Sequence, residues 1–373
     1  MQGKIKFYIK NSFSEDSLVY PLKAFLAFKK LRDGALKSIE IYLVRFFSSS
    51  KFLTSIYYLL LSKSFKREQY ACLIGRMRYY DSLHSKESNS YLLRRNTHRL
   101  EKGLLMRPRR DIFAAGYIAE TVDCFFESVN QNNSSQNLEE LKWANDVLSE
   151  YFDVVGSQPG IDKARAKFKS ALGASIDVNE SLKFIPYKRD SSVPLSVSYE
   201  SFLSLSQRRR SVRWYLSKPV PRDLIDKAVK VASLSPSACN RQPFEFRIFD
   251  DPDLVQKISV LPMGTKGFSH NFPVVVVVVG KLSAYFSERD RHIIYIDGSL
   301  AAMSFMYGLE TLGLSSCPIN WPDVEPLERK MDKLLKLEPD ERPVMLISVG
   351  YPDPEGMVAF SQKKSLEKVR RYN

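Results

Sequence analysis

The sequence predicts an α+β protein of two unlike parts, a basic, mainly helical region over residues 1–185 and a layered domain over 201–373, joined by a linker at 186–200. Three observations lead there. In the first part apolar residues recur at spacings of three and four, the period of a helix with one buried face. In the second, short valine-rich runs alternate with helical patterns. Charge is also divided unevenly: residues 1–110 hold 23 Lys and Arg against 8 Asp and Glu, a net +15, which leaves −1 for the rest of a chain whose total is +14. A length of 373 residues with 44% hydrophobic and 26% charged residues fits two globular units without staples.

The first segments, Leu36–Phe47 and Phe52–Ser62, are aromatic-rich and basic, and fit either core helices or helices lying on a membrane surface. Asp111–Glu127 reads as a helix through Ile112, Phe113, Tyr117, Ile118, Val122 and Phe125, and Leu138–Phe152 as another through Leu141, Trp143, Val147, Leu148 and Tyr151. The polar cluster Asn130–Asn137 between them reads as a loop. Pro186–Tyr199 has a linker's mixture of breakers and charges. Beyond it, Asp223–Ala232 is an amphipathic helix opened near Pro221, and Phe244–Phe249 a short strand. Val274–Val279 and Val344–Val349 read as strands buried on both faces. Asp297–Leu312 is a helix stopped by Gly313.

Several classes are excluded by what is scarce. Cys72, Cys124, Cys239 and Cys317 form no C-x-x-C pair, and only four histidines exist, so neither a disulfide framework nor a metal centre is expected. No secretory leader is visible, and the apolar run Phe52–Leu61 is about half the length that spans a bilayer. The chain reads as soluble and cytoplasmic. Its basic first 110 residues are open to two readings, a solvated face or a surface for anionic membrane or an acidic polymer. Nucleic acid is not expected, because no aromatic-basic motif or helix-turn-helix pattern is evident.

Two constellations carry chemistry. In Arg208-Arg209-Arg210-Ser211-Val212-Arg213, alternation puts Arg209, Ser211 and Arg213 on one side, two guanidinium forks and a hydroxyl that could gather around one phosphate. The second is Ser235-Pro236-Ser237-Ala238-Cys239-Asn240-Arg241-Gln242-Pro243. Its small residues admit a flat ring, and the Asn240 amide offers both a donor and an acceptor, as a pyrimidine edge requires. Alone, each is matched by a bland reading, a solvated basic run and an ordinary turn.

Together, an Arg-Arg-Ser-x-Arg segment followed after about 25 residues by Pro-Ser-x-x-Asn-x-Gln-Pro resembles the opening of the nitroreductase family. The resemblance covers Arg208–Asn373 and implies a three-layer α/β/α sandwich, non-covalent FMN, hydride from NAD(P)H, and a nitroaromatic, quinone or other small acceptor. It implies a homodimer with flavin at the interface. Residue by residue, it carries FMN contacts to Arg209, Arg210, Ser211, Arg213, Pro236, Ser237, Ala238, Asn240 and Gln242. Lys266 is the cation expected beside the flavin, where positive charge stabilises the reduced anion. In Gly313-Leu314-Ser315-Ser316-Cys317-Pro318-Ile319-Asn320-Trp321, it places Pro318 and Ile319 against the ring, an Asn320 backbone N–H toward the flavin N5, and Trp321 on the substrate side. Cys317 reads as a packing residue, since no histidine is spaced to activate it. Lys363 is the tail residue that would return to the phosphate. No side chain is assigned as a catalytic acid or base, and no motif identifies the N-terminal half. A flavin domain serving only as a scaffold docked through the basic half is the alternative.

Overall fold

The computed structural model describes residues 39–84, 90–131, 138–171 and 182–373. The chain divides into two compact units, Met1–Lys66 and Arg67–Asn373. Of the first, residues 39–47 are helical, and the expected residues 36–38 of that segment lie outside the described part. A second helix, Lys51–Ile56, is capped by Ser50, whose hydroxyl accepts the Leu53 N–H, and passes into a π-helical turn, Tyr57–Leu61. No side chain from Lys51 to Leu61 is buried, so these are not core helices.

In the second unit the sheet fixes everything else. Strands β1 (Phe244–Phe249), β2 (Val274–Lys281), β3 (Ser315–Asn320) and β4 (Glu341–Gly350) lie in the order β1-β2-β4-β3, every pair antiparallel. The six valines of β2 are all buried, and strand alternation divides them between two layers. Val274, Val276 and Val278 meet Ile225, Ala228 and Ala232 of helix α7 (Arg222–Ser233) and Ala301, Phe305 and Leu309 of α9 (Ile293–Thr311). Val275, Val277 and Val279 meet Val255 and Ile258 of α8 (Pro252–Ser259) and Met331 and Leu335 of α10 (Glu325–Leu335). Each buried valine contributes about 1.5–3 kcal/mol. The result is the three-layer α/β/α arrangement, with β1 and β3 as its outer strands.

Ahead of the sheet come α1 (Lys66–His84), α2 (Ser90–Leu104), α3 (Ile118–Gln131), α4 (Leu138–Val154), α5 (Pro159–Ala171) and α6 (Tyr199–Arg208). Helices α2 to α5 close around a core of their own that includes Leu93, Leu100, Ile118, Phe125, Leu148, Tyr151 and Ile161. They also dock on the sheet domain. Ala71 and Cys72 of α1 join a cluster with Leu282, Ala284, Tyr285 and Ile294, while Arg78 bonds Asp340 and Glu338, each at 2.6 Å. The unit boundary therefore falls at Lys66/Arg67; residues 182–198 run without helix or strand, and residues 199 and 200 of the expected linker open α6.

The expected helix Asp111–Glu127 begins only at Ile118. Residues 111–117 are held as a loop instead: Asp111 accepts the Gly156 N–H at 2.8 Å, Tyr151 donates to the Phe113 carbonyl at 2.8 Å, and Ala114 takes φ 62°. Tertiary contacts override the apolar spacing there. Of the expected loop Asn130–Asn137, residues 130 and 131 end α3 and the others lie outside the described residues. Helices α8 and α10, each amphipathic with a proline in its first turn, and strand β3 add to the elements expected from the sequence.

Candidate active site

The arginine segment lies along the β3 edge. Ser211 bridges Ser316 in parallel, with the Val212 N–H donating to the Ser316 carbonyl at 3.1 Å. Its backbone is pinned on the other side as well. The Tyr215 N–H donates to Asn271 Oδ1, and Asn271 Nδ2 donates to the Arg213 carbonyl, each at 2.9 Å. The buried Tyr215 hydroxyl reaches the Val212 carbonyl at 2.7 Å and the Ser348 hydroxyl at 2.8 Å, and burial pushes its pKa far above the ordinary phenol value. The side chains of Arg209, Ser211 and Arg213 thus stand on a fixed rail.

Among the described residues, Arg209 Nε on that rail and Ser316 Oγ on the adjoining β3 are buried without a hydrogen-bond partner. A buried donor left unpaired costs about 1–3 kcal/mol, a cost that a bound ligand can offset; Arg241 Nε and Arg342 Nε are in the same condition elsewhere. A phosphate suits Arg209 and Ser316: guanidinium N–H groups and a hydroxyl are the donor set it takes. The residues present therefore fit the FMN phosphate that the sequence implies. Cys317 follows Ser316 on β3 with its side chain on the opposite face; burial raises its thiol pKa, against the pull of Arg213, Ser211 and Arg209. It stays a protonated packing group. The turn bearing Lys266 reaches the same place, since Phe268 lies 5.7 Å beneath the Arg213 guanidinium, and the Lys266 side chain itself is exposed.

Along β3 the period of two separates the expected ring contacts. Cys317, Ile319 and Trp321 point into the core, with Trp321 donating to Glu328 at 2.6 Å. Pro318 and Asn320 take the other face, partly and fully exposed. Ile319 and Trp321 are core residues and do not line a ring or substrate pocket, which departs from the expectation because alternation allows only every second side chain outward. Arg210 is half-buried. Lys363 lies on the exposed tail, with no ion pair to an acidic group and its carbonyl accepting from Gln362.

The second constellation is a strained turn entering β1. Cys239, Asn240 and Gln242 all have positive φ (53°, 52° and 50°), each costing about 1–3 kcal/mol where the residue is not glycine. The turn is locked from within: Ser237 Oγ accepts the Gln242 N–H at 3.1 Å, and Asp297 Oδ2 accepts the Ala238 N–H at 2.9 Å. Burial holds the Asp297 carboxyl above its usual range, opposed by the Ala238 N–H, the Tyr285 hydroxyl and Arg241. Arg241 is itself buried over the Tyr285 ring at 4.9 Å. From α2, Arg94 donates to the Asn240 carbonyl at 2.9 Å. A hollow of about 450 Å³ beside the turn is lined by Arg94, Trp143, Phe184, Asn240 and Gln242 among others, while Pro236 is exposed.

One chain does not bring the two constellations together. The arginine rail follows β3 and the turn begins β1, on opposite sheet edges. Three strand spacings separate those edges, about 14 Å, and the two points also lie toward opposite ends of the strands, about 20 Å along them. Asn271, Ser316 and Asp297 escaped the sequence reading. Polar residues that act only once the sheet has formed leave no local pattern.

Comparison with known proteins places this geometry. The nitroreductase family model matches residues 207–265 and 260–351. An iodotyrosine deiodinase of Haliscomenobacter hydrossis is 28% identical over 217 residues, covering 48% of this chain and 93% of that protein. A Methanothermobacter thermautotrophicus protein, whose name proposes NADH dehydrogenase or NAD(P)H nitroreductase activity, is 29% identical over 160 residues, 42% of this chain and 80% of its own. Among solved structures, an FMN-dependent nitroreductase from Clostridium difficile R20291 aligns with a TM-score of 0.40 at 25% identity, covering 46% of this chain and 99% of that one.

Proposed function

We propose that the protein is an FMN-dependent oxidoreductase passing hydride from NAD(P)H to a small aromatic or quinone acceptor, a reading that starts from the match of residues 207–265 and 260–351 to the nitroreductase family model. The observation that carries this reading is the pair of buried atoms without a partner among the described residues, Arg209 Nε and Ser316 Oγ, where β3 adjoins the rail that also presents Ser211 and Arg213. Bound FMN would supply the redox chemistry, taking and returning a hydride. The chain's own work is placement. Arg209, Ser211, Ser316 and Arg213 hold the phosphate, and Lys266 adds positive charge from the neighbouring turn. Pro318 and Asn320 form the outward face of β3 over which a ring can lie.

Asn240 and Gln242 lie too far from the rail to meet the same flavin within one chain. In a homodimer the partner's turn would close the site, so the separation of the two constellations supports the dimer that the resemblance implies. The names of the relatives widen the acceptor class from nitroaromatics and quinones to an iodinated phenol.

The test is to purify the full chain, identify any bound flavin by its absorbance and mass, and titrate it anaerobically with NADH and NADPH in turn. Yellow protein bleached by either nicotinamide and re-oxidised by a nitroaromatic, quinone or iodophenol supports the proposal. Colourless protein that refuses added FMN would replace it with a scaffold role.

A further inference from the structure

Basic side chains of the helical layer differ in their partners, and Arg95 and Arg99 lie over aromatic rings. Arg67, Arg76, Arg78, Arg94 and Arg165 each hold a carboxylate. Lys102, Arg107, Arg109 and Arg110 hold none among the described residues, although they crowd into nine positions at the end of α2 and the loop that follows. Like charges gathered within so short a stretch repel one another, which favours the arrival of an anion.

They also surround a hollow. Lys102, Arg107 and Arg110 line a cavity of about 530 Å³ whose other walls are Gly103, Met106, Pro108, Phe113, Ala114 and Tyr117. The walls are mostly apolar and the cations stand among them. The loop is fixed in shape, with the Phe113 ring seated where a Cβ on Gly103 would lie, 5.0 Å from Tyr151, and the Arg99 guanidinium 3.6 Å above Tyr117. Next to the cations, Leu105 and Met106 are each more than half exposed (54% and 53%), and Ile112 is exposed at 39%. Apolar side chains held in water beside unpaired arginines suit neither a solvated face nor a site for a free inorganic ion.

We propose that this hollow takes the phosphodiester headgroup of an anionic phospholipid at a membrane surface. Lys102, Arg107 and Arg110 contact the phosphate, Arg109 meets neighbouring headgroups, and Leu105 and Met106 enter the acyl boundary. The attachment is peripheral, since among the described residues no helix is long and apolar enough to cross a membrane. The proposal is independent of the flavin reading, because no residue of the hollow belongs to the arginine rail or to the turn at Asn240.

The full chain is tested by flotation with vesicles of phosphatidylcholine alone and with phosphatidylglycerol added, as wild type and as Arg107→Gln/Arg110→Gln. Both arginines are exposed, so the variant folds; an unchanged melting temperature checks it. The wild type should bind the anionic vesicles and the variant about thirtyfold less tightly, the worth of two basic side chains at such a surface. Leu105→Asp/Met106→Asp should weaken binding by a similar factor. Short-chain phosphatidylglycerol below its micelle concentration should compete, whereas inorganic phosphate at the same concentration should not. Equal vesicle binding by wild type and the arginine variant overturns the proposal, as does competition by phosphate but not by the soluble lipid.

Discussion

At the β3 edge, Arg209 Nε and Ser316 Oγ are buried without a hydrogen-bond partner among the described residues, while at the start of β1 the backbone of the turn 237–242 is held by Asp297, Ser237 and Arg94, although its Arg241 Nε is buried and unpartnered too. Both stretches are basic or polar loops lying against the same sheet. The difference is one of division of labour. The rail keeps its backbone satisfied and leaves donors free for a ligand, and the turn spends its side chains on holding three strained residues in place. On the proposed function, the first would hold a ligand and the second would meet a partner's surface.

The comparison breaks most visibly at the rail. Arg209→Ala/Arg213→Ala should lower FMN affinity on the order of a thousandfold, from two charge-assisted contacts of about 2 kcal/mol each. Fluorescence titration of apoprotein measures it, and an affinity within a few-fold of wild type would place the phosphate elsewhere. Ser316→Ala should cost about tenfold in FMN affinity and leave the stability of the apoprotein unchanged or slightly higher, because the orphaned hydroxyl is gone.

The turn should respond in the opposite sense, through stability before affinity. Asp297→Ala strands the Ala238 N–H and should cost about 1–3 kcal/mol, read as a lower urea midpoint without ligand. Asp297 also predicts a pH dependence. Its folded carboxyl holds the proton more tightly than the unfolded one, whose ordinary value is 3.8. Its contribution is therefore largest below that value, falls as pH rises through the raised folded value, and is level above it. Unfolding of wild type against Asp297→Asn over an acid pH series should show this decline; a rise would mean that Arg241 and not burial dominates. The smallest effect concerns thiols. Cys239, half-buried, should be alkylated by iodoacetamide at pH 8 well before the buried Cys317, whose thiol is held protonated. Peptide mapping by mass spectrometry gives the order.

The surroundings of the two stretches could not be told apart in the sequence. Arg209 and Arg241 stand in equally basic or polar runs and each has a buried Nε without a partner among the described residues, yet one lies beside β3 and the other over Tyr285 next to Asp297. Asp297 is 59 residues from the turn it holds, and Ser316 more than 100 residues from Arg209. Separations like these carry no periodic signal. The strands β2 and β4, by contrast, announced themselves, because a run of six valines is stable only where both faces are covered.

What the sequence determined by itself is the chemistry and the elements: an arginine-serine segment suited to a phosphate, a Pro-Ser-x-x-Asn turn, and helices alternating with buried strands, all of them properties of neighbouring residues. Only the tertiary structure decided that Ile319 and Trp321 face inward, that residues 111–117 stay a loop, and that the rail and the turn occupy opposite edges of the sheet. Those outcomes depend on which strand lies beside which. Strand order is settled by burial of whole faces, and a local stretch of chain cannot express it.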